Sequence, residues 1–370
     1  MNELLLVVFY LAIFTTLLLS IWYTGRRLCN LFKLDAFWTM QIFITAGVVG
    51  SVGIIIISAR STSILVGNLS ILGGYILTFY VYLILTLLLS HIIQIIWKPS
   101  VTWVGISALF FAFAVTATGA IWANILVIKE TKINIEGLKK EINIMHISDV
   151  HLGHHRARSY LANIVEKTNM LKPDIVLITG DLVDSNIALS SDVLDLLSNF
   201  TSPVYFVGGN HENYIDTKRA FELIEQYGVR ILRNEVVELQ DIQIIGLDYM
   251  NADENTFDMH PSNDTRTIKT VLSTLALKTD IPSILMHHSP VGIEYAVNKG
   301  VDLMISGHTH AGQVFPFTLF ISTLFPFNDG LYRQDKTNVF VTQGAGTYML
   351  RVRLGTSNEI NLLRLIPDKR

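Results

Sequence analysis

The stretch "INIMHISDVHLGHH", residues 142–155, decides the kind of domain into which the chain around it folds. Its first half is an apolar run rich in isoleucine, with the length and composition of a buried strand. Its second half places Asp149 and His151 directly after that strand, followed by His154 and His155. In an extended chain Asp149 and His151, two residues apart, point to one side. A buried strand that ends in an acid and histidines predicts a chemical site at its carboxyl end.

Four further apolar runs end in the same way. Each has the length of a buried strand, and each is followed by polar residues: "DIVLIT" by Gly180 and Asp181, "VYFVG" by Gly209, Asn210 and His211, "SILM" by His287 and His288, and "DLMIS" by Gly307, His308 and His310. Ligands of open α/β sheets bind outside the carboxyl ends of the strands, so groups spread over some 160 positions can converge. We therefore expect these side chains to form one site.

The chain from residue 141 onward has the alternating pattern of an α/β domain. The further apolar runs "IQIIGL", "NVFVTQ" and "INLLRL" resemble buried strands, and helix-like segments at 158–170, 190–200 and 216–226 separate several of the runs. This length is enough to bury a substantial core. We predict one layered α/β domain over residues 141–370.

The candidate side chains have the chemistry of a metal site. Carboxylate oxygen, amide oxygen and imidazole nitrogen without thiolate suit Mn, Fe or Zn in an open site, whereas structural zinc sites are richer in cysteine. The candidates are too many for one ion that must also leave room for water, but they suit two ions that share a carboxylate. Two metals roughly 4 Å apart would lower the pKa of a water and hold both oxygens of a phosphoryl displacement. We therefore predict two divalent metal ions.

The chain before residue 128 has a different character. Half of all residues are hydrophobic, the mean hydropathy is +0.43, and the excess lies in four apolar runs at 3–24, 36–59, 69–97 and 102–128. Each run reaches the roughly 20 residues that a helix needs to cross a bilayer. We predict a transmembrane region of four helices over residues 1–128 and a polar connector over residues 129–140.

The charges beside the apolar runs bear on orientation and partners. Arg26, Arg27 and Lys98 favour cytoplasmic loops and an extracytoplasmic catalytic domain, whereas Lys129 and the lysines after it favour the opposite orientation. We expect an integral protein of the cell membrane, with the catalytic domain on the extracytoplasmic side. The single cysteine, Cys29, can form no internal disulfide and leaves the compartment open. A net charge of −3 predicts no nucleic-acid partner.

The motifs "DVH", "GDLVD", "GNHE", "HSP" and "GHTH", in this order, resemble the motif series of the calcineurin-like metallophosphoesterase superfamily. The form "GHTHAGQ" and the closing "RLGTSNEINLLRL" resemble its membrane-associated branch. The resemblance covers about residues 141–366 and does not extend to the apolar runs. It implies an αββα sandwich, a two-metal centre and hydrolysis of phosphate esters.

The resemblance also implies a role for each matching residue. The predicted metal ligands are Asp149, His151 and His310 for one ion, Asn210 and His308 for the other, and Asp181 as the bridge between them. The second ion also takes the histidine before "SP", where the His-x-Pro spacing selects His288 and leaves His287 as the alternative. His211 matches the position that contacts the phosphate and protonates the leaving oxygen, a role that suits imidazole.

Several other polar residues have two readings. Asp184 either holds a ligand in place or is a plain loop carboxylate. His146 lies within the strand, and we predict a packed core histidine. His154 and His155 are solvated loop residues or line the substrate mouth. Arg353 matches an arginine common in the branch, and it could reach a phosphate or form a surface ion pair.

The segment "VFPFTLFISTLFPF", residues 314–327, follows the last predicted ligand and contains no charged residue. Exposed apolar surface of this size usually marks a membrane or ligand contact. The segment would then dip into the bilayer or pack on the helices and bring the site within reach of a lipid phosphate. The alternative is a buried core segment interrupted by prolines.

Together these features predict a membrane-anchored, metal-dependent phosphoric ester hydrolase. Its substrate would be a phosphate mono- or diester, with a phospholipid or a lipid-linked pyrophosphate as candidates, attacked by a metal-bound hydroxide. A nucleotide phosphodiesterase is an alternative that the absence of a basic stripe disfavours. A non-catalytic metal-binding scaffold of the same fold is the other alternative, although no predicted ligand is missing.

Overall fold

The computed structural model describes residues 3–59, 61–239, 241–256, 260, 262 and 264–368, except for the side chains of residues 3–7, 9 and 10. The chain divides into two compact units. The helical unit comprises Met1–Ala59, Ser63–Ile121 and Met349–Val352, and the second unit comprises Arg60–Thr62, Trp122–Tyr348 and Arg353–Arg370.

The helical unit contains four long helices: α1 (Glu3–Phe32), α2 (Phe37–Ser58), α3 (Ile64–Trp97) and α4 (Val101–Trp122). By length and composition, α2, α3 and α4 could each cross a membrane. Helix α1, whose first residues are only partly described, is not among these spans. Within the described residues, the predicted count of four spans is therefore corrected to three.

The second unit contains the remaining elements. Its strands are β1 (Leu126–Ile135), β2 (Ile142–Ile147), β3 (Ile175–Thr179), β4 (Val204–Val207), β5 (Arg230–Ile231), β6 (Glu235–Leu239), β7 (Ile242–Gly246), β8 (Ser283–Met286), β9 (Leu303–Ser306), β10 (Gly330–Gln334), β11 (Thr337–Val341) and β12 (Asn358–Pro367). Its α-helices are α5 (Arg158–Leu171), α6 (Ser191–Leu194), α7 (Thr217–Gln226), α8 (Ile268–Thr274), α9 (Ile293–Lys299) and α10 (Ile321–Leu324).

The strands form two six-stranded sheets, with the orders β1-β12-β2-β3-β4-β5 and β10-β11-β9-β8-β7-β6. In the first sheet, β2 to β5 are parallel and β12 is antiparallel to β2. In the second sheet, β7, β8, β9 and β11 are parallel, and the two edge strands are antiparallel to their neighbours. The carboxyl ends of parallel strands lie on the same side of a sheet. The residues that follow β2, β3 and β4 are therefore neighbours, and so are the residues that follow β8 and β9.

Apolar side chains fill three layers between and outside the sheets. Ile144 and Leu177 of the first sheet pack with Ile284 and Ile305 of the second. The outer face of the first sheet packs on α5 and α7, and the outer face of the second packs on α8 and α9. Each fully buried large aliphatic side chain stabilises the fold by roughly 1.5–3 kcal/mol relative to exposure. The predicted αββα sandwich is confirmed.

All eight apolar runs that we predicted as strands contain strands, and the segments 158–170 and 216–226 form α5 and α7. The segment 190–200 is less regular, with α6 followed by a 3₁₀ helix, Asp195–Asn199. The stretch 129–140, expected as a connector, instead contributes to β1 as far as Ile135. Polar residues dominate this stretch because β1 is an edge strand, and within the stretch only Ile133 and Ile135 of β1 are buried.

Candidate metal centre and active site

Five of the predicted site residues have a left-handed backbone. Their φ angles are +53° for Asp149, +51° for His151, +51° for Asp181, +70° for His308 and +47° for His310. This conformation is uncommon for residues other than glycine, and it costs of the order of 1–3 kcal/mol at each. Hydrogen bonds hold the loops in this form, because the amide of Asp149 donates to the carbonyl of Gly180 and that of His151 to the carbonyl of Asp181, at 3.1 and 3.0 Å. Strained residues that cluster where strands of both sheets end are typical of a functional site.

Asp149, His151 and His310 form one group of potential metal ligands. All three are buried, and one ligand atom from each lies within 4.8 Å of the others. His310 Nε2 is 3.5 Å from Asp149 Oδ1 and 3.1 Å from His151 Nε2. The backbone amide of His308 donates to both Asp149 carboxylate oxygens, at 3.1 and 3.0 Å, and orients this carboxylate.

Asp181, His288 and His308 form a second group with the same compactness. His288 Nε2 lies 3.2 Å from Asp181 Oδ2 and 3.2 Å from His308 Nδ1. The two groups meet at Asp181, because its Oδ2 is also 3.8 Å from His151 Nε2. Asp181 therefore occupies the place of a carboxylate that can serve both groups.

The neighbouring histidines His287 and His288 differ in what their rings face. His287 has both ring nitrogens near the backbone, with Nδ1 2.7 Å from the carbonyl of Ser289 and Nε2 3.4 Å from the amide of Met250. His288 uses only Nδ1 in this way, at 2.7 Å from the carbonyl of Thr179. Its Nε2 faces the carboxylates of Asp181 and Asp149. In metal-binding histidines, the nitrogen that does not bind the metal usually has such a backbone partner. This geometry favours His288 as the ligand.

Asn210 supplies the clearest sign that a group is to be bound. Its side chain is only 3% exposed, and its Oδ1 is buried without a hydrogen-bond partner. An unsatisfied buried carbonyl oxygen costs roughly 1–3 kcal/mol and calls for an explanation. A cation at the second group would satisfy this oxygen. The oxygen and nitrogen donors gathered here therefore fit a divalent metal of the Mn, Fe or Zn type.

His211 lies at the edge of this cluster with its ring held by an acid. Its Nδ1 is 2.5 Å from Asp184 Oδ1, and its Nε2 is 3.9 Å from Asp181 Oδ2. Burial alone would lower the pKa of His211, but the carboxylates of Asp181 and Asp184 together raise it to about 9. The imidazole therefore keeps its proton at neutral pH, with Nε2 directed at the candidate ligands. Of the two readings of Asp184, the geometry favours the partner that holds a functional side chain.

The other histidines of the cluster divide by charge. Burial, reinforced by neighbouring cations, lowers the pKa of His308 and of His310 well below the ordinary value. Both rings are therefore neutral, which is the form that binds a metal. Burial also disfavours the charged form of His288, but the carboxylates of Asp181 and Asp149 raise its pKa to about 10. A cation bound to this group would therefore have to displace the proton from His288 Nε2, which faces Asp181.

Two glycines are required by the closeness of the ligands. A Cβ at Gly209 would lie 2.7 Å from the amide nitrogen and 3.0 Å from Cγ of Asp181, and it would overlap Oδ1. A Cβ at Gly307 would overlap Asp149 Oδ2 and the hydroxyl of Ser148. Neither position has a positive φ, so glycine is needed here for space alone.

Two buried charged residues support the site in ways that the sequence reasoning missed. Glu212 accepts hydrogen bonds from the amides of Asp181, Gly209 and Val183 at 2.9, 2.7 and 3.1 Å, and it ties two ligand loops together. Its place in "GNHE" was the available signal. Arg353 is fully buried, donates to the carbonyl of His310 at 3.0 Å, and has its Nη2 3.1 Å from His310 Nδ1. Neither reading proposed for Arg353, phosphate contact or surface ion pair, is correct.

The remaining candidates have ordinary surroundings. His146 is fully buried, 2.8 Å from Thr179 Oγ1, and burial lowers its pKa to about 3, which confirms the predicted core histidine. His154 and His155 are half-buried. Tyr348, which we did not single out, lies with its ring centroid 5.1 Å from that of His211 and forms part of the site's wall.

The family model described as calcineurin-like phosphoesterase matches residues 142–312, which hold every predicted ligand. An uncharacterized metallophosphoesterase of Aquifex aeolicus is 30% identical over 212 residues, which are 56% of this chain and 78% of the relative. The chain belongs to the calcineurin-like metallophosphoesterase family. The resemblance on which the ligand assignment was based is thereby confirmed at the level of the family.

Other metallophosphoesterases of this family match a similar stretch. An uncharacterized metallophosphoesterase of Helicobacter pylori is 36% identical over 245 residues, which are 65% of this chain and 64% of the relative. A zebrafish (Danio rerio) protein called transmembrane protein with metallophosphoesterase domain is 33% identical over 247 residues, 62% of this chain and 55% of the relative. The chain thus covers less than two thirds of the length of these two relatives.

Proposed function

We propose that the chain is a membrane-anchored, two-metal phosphoesterase. Asp149, His151 and His310 would hold one divalent cation, and Asn210, His288 and His308 the other, with Asp181 shared. The observation that carries this proposal is the meeting of two ligand groups at Asp181, beside the unsatisfied buried oxygen of Asn210. When bound, two such cations would supply the Lewis acidity that polarises the phosphoryl group and makes a water nucleophilic near neutral pH.

His211 is the residue that we propose as the general acid. Its Nδ1–H donates to Asp184, which fixes the ring and stabilises its charge, so that Nε2 carries a proton toward the cluster. A substrate phosphate bound by the ligand groups would place its leaving oxygen within reach of this proton. Positioned acids of this kind contribute roughly 10²–10⁴-fold to rate.

The proposed substrate is a phosphate ester carried by a lipid, either a phospholipid or a lipid-linked pyrophosphate. Support comes from the three membrane-spanning helices and from exposed aromatic side chains close to the ligands. We place the protein in the cell membrane. We further propose an extracytoplasmic catalytic domain, because Lys98 at the end of α3 favours the cytoplasm and α4 then crosses the membrane once more.

The first experiment is hydrolysis of bis-p-nitrophenyl phosphate by the full chain in detergent, stripped of metal and resupplied with Mn²⁺, beside Asn210→Ala and His211→Ala. We expect metal-dependent turnover that both substitutions reduce by at least about 10²-fold. His211→Ala should retain its metal, whereas Asn210→Ala should lose one ion. Metal binding without any turnover, on this diester and on nucleotide and lipid esters, would instead favour a non-catalytic scaffold.

The two neighbouring histidines provide a matched pair for the ligand assignment. His288→Asn should lower the bound metal from two ions to one, because it removes the nitrogen that faces Asp181. His287→Asn should retain both ions and lower only the stability, because its ring contacts the backbone. The reverse pattern, measured by elemental analysis of the purified variants, would show that the assignment of His288 is mistaken.

A further inference from the structure

An exposed apolar segment lies beside the candidate metal centre. We define it as residues 317–324, which form a 3₁₀ helix (Phe317–Leu319) and the helical turn α10. Four of its five large apolar side chains are more than half exposed: Phe317 58%, Leu319 63%, Phe320 59% and Leu324 51%. The fifth, Ile321, is half-buried. No charged residue occurs between positions 314 and 327. The prediction of a buried core segment is therefore wrong for residues 317–324.

The two ends of the apolar segment are fixed to the second unit. Val314 and Phe325 are buried on either side of it, and Val314 forms a β-bridge with Leu354. The ring centroid of Phe325 lies 5.4 Å from that of the candidate ligand His308. The exposed tip therefore stands on a fixed base that contacts the metal centre.

The helical turns pair several backbone amides of the segment while most of its large apolar side chains stay exposed. The amides of residues 317, 319, 320, 323 and 325 each donate to a carbonyl within the segment or its base, at 2.8 to 3.0 Å. A low-dielectric environment demands this internal pairing, because an unpaired amide there costs several kcal/mol. Phe317, Phe320 and Leu324 recur at the spacing of one helix face. The segment could thus leave water without unpairing these amides.

We propose that the apolar segment inserts into the membrane that the chain's own helices span, and that it holds the mouth of the metal centre at the depth of the lipid headgroups. Three helices of the chain are long and apolar enough to cross a membrane, so they would tether the second unit to a bilayer. Aromatic and aliphatic side chains without charge suit this boundary. The inference deepens the proposed function, and its lipid substrate rests on that function.

Insertion of the apolar segment into a bilayer can be measured independently of phosphate ester hydrolysis. In a Cys29→Ser background, Ser322→Cys introduces a small, exposed attachment point within the segment and leaves its apolar side chains intact. The matched control is Lys336→Cys, an exposed residue before β11. Strands β11 and β9 are parallel; Lys336 precedes β11, whereas His308 follows β9. The two residues therefore lie at opposite ends of the strands of this sheet. Both positions carry an environment-sensitive NBD label in phosphatidylcholine vesicles that contain lipids with a nitroxide near the headgroup.

We expect the label at position 322 to be quenched at least severalfold more than the label at position 336. Adding Phe317→Asp and Phe320→Asp should reduce that quenching to the control level. Equal quenching at both positions would refute insertion and would indicate that a protein surface, rather than the bilayer, covers the apolar segment. Strong quenching in a protein that hydrolyses no phosphate ester would support insertion while refuting the proposed function, so the two failures are distinct.

Discussion

Replacing Gly209 by alanine should damage the metal centre without removing any ligand. Ordinary van der Waals contact begins near 3.4 Å, but the new Cβ would lie 2.7 Å from the amide nitrogen of Asp181. The difference requires a shift of about 0.7 Å in the residue that joins the two ligand groups, and a misplacement of about 1 Å in an active site can cost 10²-fold in rate. We expect a loss of turnover of this order, together with weaker metal binding.

The neighbouring Gly208→Ala is the control for this substitution. Its Cβ would meet only the ring of Phe221, with Cζ at 3.0 Å, and that side chain can move aside. Hydrolysis of bis-p-nitrophenyl phosphate and metal content are measured for both variants, together with thermal unfolding to exclude global damage. If Gly209→Ala kept wild-type turnover and both metals, the position of Asp181 would not matter to the reaction, and the reasoning from its contacts would be refuted.

Three other predictions concern protonation and metal. Burial lowers the pKa of His146 from 6.5 to about 3, so the unfolded chain binds a proton that the folded chain excludes, and stability falls as pH drops through this window. Between pH 6 and 4, the wild type should lose about 1.4 kcal/mol per pH unit more than His146→Gln, as measured by denaturant unfolding. Asp184→Asn removes a negative charge that raises the pKa of His211. The alkaline limb of the kcat–pH profile should therefore move to lower pH. If the limb did not move, His211 would be excluded as the general acid. Chelation should lower the melting temperature, and Mn²⁺ at 100 times its Kd should restore about 2.7 kcal/mol; a melting temperature indifferent to Mn²⁺ would contradict a metal centre in the folded state.

The strands and the convergence of the site could be predicted because both depend on local pattern. Apolar runs of strand length ended in Asp149, Asp181 and Asn210, and parallel pairing brought those ends together. The choice between His287 and His288 could be argued only from family spacing. The contacts of each ring nitrogen, which favour His288, depend on the partner strands and on residues distant in the chain.

The elements that were missed lack a local signal. Half of the residues of β1, an edge strand, are polar, and all of these lie between 129 and 134, so composition indicated a connector there. Arg353 was expected to contact a phosphate or to form a surface ion pair, yet it is buried, and the carbonyl groups of His310, Gln343 and Gly346 accept its hydrogen bonds. Such a pocket exists only after the chain has folded.

The pairing of β1 with β12 has a consequence for biosynthesis. Strand β1 begins at Leu126, only a few residues after α4, yet its partner Asn358 and the rest of β12 are made more than 200 residues later. Strand β12 lies between β1 and β2 in the first sheet. This sheet can therefore be completed only after the ribosome has translated β12. During that interval β1 would be an open sheet edge, which is a template for mispairing between nascent chains. Completion of this fold is therefore expected to follow membrane insertion rather than accompany it.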